Sequence, residues 1–69
     1  MHQMQVKSRI IQSVYFSQDD GQLRICFKNG EERRFLGVSE ETVVAMCTSS
    51  SPGQFYMDHI RSAYRRVGA

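Results

Sequence analysis

The chain has 69 residues, 41% hydrophobic and 23% charged, with nine Lys and Arg against seven Asp and Glu for a formal net charge of +2. So few apolar residues cannot be shared between two cores, which predicts one domain over residues 1–69, a single module after a short N-terminal lead. The three Tyr and four Phe argue against disorder, the mild charge is compatible with an anionic partner but far from the strong excess of a dedicated nucleic-acid binder, and Cys26 and Cys47 lack any CxxC spacing.

The opening MHQMQVKSR holds no apolar run that could serve as a signal peptide or membrane span. A cytoplasmic protein with two free thiols and no membrane role is expected. Ser8 to Phe16 is rich in β-branched and aromatic residues and reads as the first strand. Val14 and Phe16 share a face, whereas Ile11 lies an odd step away and joins them only through a bulge or bent entry. Asp19-Asp20-Gly21 closes a turn, and Gln22 to Lys28 alternates with Leu23, Ile25 and Phe27 on one face and Arg24, Cys26 and Lys28 on the other.

Asn29-Gly30 is the strongest local signal, because both residues tolerate positive φ and favour a hairpin. A two-residue loop would pair Lys28 with Glu31 and turn Phe35 to solvent. A three-residue loop, Lys28-Asn29-Gly30, pairs Phe27 with Glu31, Ile25 with Arg33 and Leu23 with Phe35; it buries Phe35 and gathers Arg24, Lys28, Glu32 and Arg34 on a wet face, and is therefore favoured. Ser39 reads as an N-cap, with Glu40 and Glu41 favoured by the helix dipole, for a short helix whose apolar side is Val43, Val44, Met46 and Cys47.

Ser51-Pro52-Gly53-Gln54 matches a capping box with Pro at the first helical position. Beyond it Tyr56, Ile60, Ala63, Tyr64 and Val67 form an apolar helical stripe, Phe55 and His59 its margin, and Gln54, Asp58, Arg61 and Arg65 the opposite stripe. The reading is an α+β fold, a three-stranded antiparallel β-meander followed by two helices (β-β-β-α-α). Its expected core is Val14, Phe16, Leu23, Ile25, Phe27, Phe35, Val43, Met46, Tyr56, Ile60 and Tyr64.

Ser13-Val14, Leu23 to Phe27 followed by Asn29-Gly30, Phe35 to Val38, and Ser51 to Tyr56 with Ile60-Arg61 and Tyr64, taken in series, resemble the KTSC domain. This small module occurs alone in bacteria and at the C-terminus of some lysyl-tRNA synthetases. The resemblance covers roughly Val6 to Arg66 and implies a bacterial protein with the β-β-β-α-α fold and a role in RNA binding. Two departures are visible. The family's Tyr-X-Tyr motif in the third strand is Arg33-Arg34-Phe35 here, and Ser39 stands where many members have Pro.

Catalysis finds no support. His2 lies in a terminal segment and His59 on a helix flank, neither with partners at metal or general-base spacing; Ser49 to Ser51 lack the setting of a nucleophile elbow, and Gly53 is no phosphate loop. No enzyme, metal, cofactor or small-molecule substrate is expected. Arg24, Lys28 and Arg34 on the sheet, with Arg61, Arg65 and Arg66 on the last helix, are the candidate nucleic-acid contacts, since phosphates reward basic clusters by counterion release. Exposed aromatics to stack bases are scarce in this reading, because Phe27, Phe35 and Tyr64 are placed inside. The rival class is a protein-protein interaction or homo-oligomerisation module that uses the open edges of a three-stranded sheet with the outward Cys26 and Leu36. Salt dependence separates the two, being steep for phosphate contacts and shallow for an apolar dimer.

Overall fold

The computed structural model describes residues 1–67, so the last two residues of the expected domain lie outside it. In chain order the elements are β1 (His2–Met4), β2 (Ile11–Ser17), β3 (Gln22–Phe27), β4 (Glu32–Phe35), α1 (Glu40–Thr48), α2 (Pro52–Phe55) and β5 (Arg66–Val67); α2 runs into a π-helical turn over Tyr56–Ile60. All five strands form one antiparallel sheet in the order β1-β2-β3-β4-β5. The helices supply core residues to one face of it.

The central hairpin has the three-residue loop. Leu23 pairs with Phe35 and Ile25 with Arg33, and the Phe27 amide donates to the Glu31 carbonyl at 2.8 Å. Gly30 closes the turn at φ +93°, a conformation that costs a residue without Cβ nothing extra. Ile11 reaches the core face through a bulge, the β2–β3 register shifting between Ile11 and Ser13.

The expected meander is incomplete, because β1 and β5 extend it on both sides. β1 sets Met4 beside Val14, and β5 sets Val67 beside Arg34 and Arg66 beside Phe35. Strands of three and two residues are too short to show alternation, and they close the flanks of β2 and β4 that a three-stranded sheet would leave open.

The buried core comprises Ile11, Val14, Phe16, Leu23, Ile25, Phe35, Val38, Val43, Met46, Tyr56 and Ile60. It adds Ile11 and Val38 to the expected set and leaves Phe27 and Tyr64 only partly covered. Phe27 ends β3, where its ring meets Tyr56 edge-on at 5.3 Å and is only half-buried. Tyr64 lies at the rim, its hydroxyl 3.3 Å from that of Thr42. Tyr56 also meets Phe35 edge-on at 5.9 Å, an arrangement worth about 0.5–1.5 kcal/mol beyond burial.

Ser39 caps α1, its Oγ accepting from the Thr42 amide at 3.2 Å. Ser51 does not cap α2. At φ −136° and ψ 78° its side chain makes no bond to the following amides, and Gln54 reaches forward to Asp58 at 2.9 Å instead of back. The first turn is closed by the backbone alone, from the Phe55 amide to the Ser51 carbonyl at 3.0 Å.

The long last helix is also corrected. Regular α-structure ends at Phe55, the π-turn takes over, and the chain leaves through a turn after Ile60 to enter β5. Val67 is therefore a strand residue and Ala63 is exposed. Nor do Arg61, Arg65 and Arg66 lie along one helix.

Candidate functional site

A groove of about 890 Å³ opens on the helix-bearing face of the sheet. Three local devices build it. In the lead to β2 the Ser8 Oγ accepts from the amides of Ile10 and Ile11 at 3.2 and 3.1 Å, and the Lys28 amide donates to the Ile10 carbonyl at 2.8 Å. This side chain-capped turn brings Arg9 and Ile10 up against the β3–β4 hairpin.

The hairpin supplies the second wall. Its register puts Arg33 on the same sheet face as Phe35, three residues past Gly30, and Lys28 on the turn itself. Arg33 is held by Glu31 at 3.3 Å and donates to the Glu32 carbonyl at 3.0 Å.

The third device is the π-turn. Five residues along a regular α-helix, a side chain has passed about 140° beyond a full turn and faces away. In this helix the Arg61 amide instead bonds the Tyr56 carbonyl at 2.9 Å, and the widened turn brings Arg61 to the same groove as Tyr56. Single π-turns inside helices are frequently found at functional sites. The pairing of β5 with β4 then adds Arg66.

Arg9, Lys28, Arg33, Arg61 and Arg66 thus surround a floor of Phe27, Tyr56, Ile10 and Met57. Of the nine cationic side chains five line the groove, with only one of the seven acids, Glu31. The groove carries a formal +4, while the rest of the molecule, four cations against six acids, carries −2. Burial pushes the Tyr56 phenol above its ordinary 10.0 against the opposing pull of Arg33, Arg61 and Arg66, which places positive potential on the groove floor.

The expected contacts are regrouped by this geometry. Lys28, Arg61 and Arg66 come together in the groove, Arg65 stays outside it, and Arg24 and Arg34 lie on the opposite face of the sheet. There the Arg24 guanidinium lies over the Tyr15 ring at 4.7 Å, its Nε buried without a hydrogen-bond partner, and Arg34 pairs with Glu32 at 3.7 Å. Tyr15 adds an aromatic to the outer face, where exposed aromatics were expected to be scarce.

Sequence reasoning missed Arg9 and Arg33. Arg33 had a signal, since the favoured register already set a cation opposite Ile25 on the apolar face. Arg9 had none, because its position depends on the Ser8 turn. Of the residues weighed for chemistry, His59 packs its ring on Phe55 at 4.6 Å, and burial pushes the Cys47 thiol up. Among the described residues no three of His, Cys, Asp and Glu gather as a metal site would require, and no helix is long and apolar enough to cross a membrane.

The sequence pattern of the KTSC domain matches residues 7–64. The chain belongs to the KTSC domain family. A crystal structure of a KTSC domain protein from Yersinia pestis superposes with a TM-score of 0.86 at 24% identity, covering 99% of this chain and 96% of that one. At that identity the likeness establishes the shared fold, α+β with an antiparallel sheet and two helices. Curated proteins yield no match. Arg33 stands at the groove wall, while Phe35, two positions on, is buried in the core.

Proposed function

We propose that this KTSC domain is a non-enzymatic RNA-binding module whose contact surface is the basic groove. The observation that carries the reading is the convergence of Arg9, Lys28, Arg33, Arg61 and Arg66 from four separate segments onto one concavity with a single acid. Scattered surface charges are ordinary; a cleft lined by one sign focuses potential and draws a polyanion in. Arginine suits phosphate because its planar fork donates two parallel bonds. The outer face, where Arg34 is paired with Glu32 and Arg24 is spent on Tyr15, offers less free charge.

An NMR titration of the labelled domain with a mixed RNA pool at two salt concentrations tests the reading. The amides of Lys28, Arg33, Arg61 and Arg66 should shift, the shifts should fade with salt, and Arg61→Gln should lower the slope of log affinity against log salt by about one. Shifts confined to β1, β5, Cys26 or Leu36 that grow with protein concentration and ignore RNA would replace it with the oligomerisation module.

A further inference from the structure

Building on that reading, we infer that the groove takes unpaired nucleotides, with one base laid against the floor of Phe27, Tyr56 and Met57 while the flanking phosphates meet the arginines.

A site for phosphate alone needs only charge and donors. This groove has an apolar floor as well. Met57 is 44% exposed and Ile10 40% exposed, large apolar side chains left in water between cations, and Phe27 ends its strand with part of its ring uncovered beside Tyr56. Charge alone draws in a polyanion and makes no use of such residues; beneath a base they supply the face on which its π-surface rests.

Size agrees. A volume of about 890 Å³ falls within the roughly 300–1,000 Å³ of pockets that enclose a small ligand, enough for a nucleotide and its two phosphates. A duplex cannot use such a floor, because its bases are paired and stacked inward and its grooves offer phosphate and ribose edges. An unpaired strand can turn a base out, and each stacked base then adds affinity that salt does not remove. Cations from the lead to β2, the hairpin, the π-turn and β5 line the same groove and are available to the flanking phosphates.

Fluorescence anisotropy separates base contact from charge. The intact domain is titrated with a short labelled unpaired RNA, the same RNA annealed to its complement, and an abasic strand of equal length. Binding of the unpaired RNA about tenfold or more tighter than the other two is expected. Phe27→Leu should then weaken it about fivefold or more without changing the salt slope, and Met57→Ala, on an exposed side chain that does not threaten folding, should weaken it in the same sense. Arg24→Gln on the opposite face should leave binding unchanged. Equal affinity for all three strands, or full affinity in Met57→Ala, overturns the base contact and leaves a phosphate-binding groove. Failure of every strand to bind overturns the proposed function itself.

Discussion

Gly53 lies directly beneath Ile10: a Cβ at position 53 would stand 2.6 Å from Ile10 Cδ1 and 2.8 Å from its Cγ1. The close approach locks the start of α2 to the lead of β2, the segment that carries Arg9 and Ile10 to the groove. Gly53→Ala should cost about 1 kcal/mol by overpacking, modest because the exposed Ile10 can swing aside. In an Ile10→Ala background the same change should be neutral or stabilising, since Ala favours helix over Gly by up to about 1 kcal/mol. Urea denaturation of the four proteins in this cycle measures the coupling, and additive effects would refute the contact.

Gly30→Val should destabilise by about 1 kcal/mol or more. Nothing lies within 4 Å of a Cβ built there, so the whole cost is the left-handed backbone at φ +93°. Gly30→Asn should lose less, because Asn tolerates that region. Equal melting of the Val and Asn variants would sink this account of the loop.

Ser39→Ala should cost about 0.5–2 kcal/mol by freeing the Thr42 amide, whereas Ser51→Ala should be close to neutral because no amide depends on its hydroxyl. Two serines, each ahead of a helix, would thus give opposite results in thermal denaturation.

Burial raises the Tyr56 phenol above 10.0, so the folded state keeps a proton that the unfolded chain releases. The contribution is complete below about pH 10 and is lost as pH rises through the folded value. Cys47, raised by burial from 9.0, adds a fall of the same sign that begins lower. In a Cys47→Ala background, Tyr56→Phe should therefore flatten the alkaline decline of stability measured by denaturant titration. A slope unchanged by Tyr56→Phe would show that the phenol is not the titrating group.

What could be read from the sequence was what local chemistry decides. Asn29-Gly30 together with the alternation of Leu23, Ile25 and Phe27 determined the register of the hairpin, and so the burial of Phe35. Ile11 was legible as a residue that needed a bulge. The edges were not legible, because HQM and RV are too short to carry a period and acquire strand geometry only from the neighbours they pair with. The last helix was misread because a 3.6-residue template was laid over a segment that widens at Tyr56. Half of the candidate contacts, Lys28, Arg61 and Arg66, were legible as cations expected on the sheet face or the last helix, but their meeting with Arg9 and Arg33 depends on the Ser8 turn, the π-turn and β5, none of which has a sequence period.

Every strand lies beside its neighbours in sequence, so β1 to β4 can zip through short connections, while β5 reaches β4 only after the chain has passed through both helices. Closing the longer span costs more entropy, which makes it a late event in folding. The ladder that results is two residues long, continued by one bond of 3.3 Å from the Leu36 amide to the Arg65 carbonyl. Hydrogen exchange at Leu36 should accordingly outpace that at Ile25 in the middle of the sheet. Arg66 rides on this latch. The domain would then gain its full grip on a polyanion after the core has consolidated, and on warming would release that grip through local opening while the core is still intact.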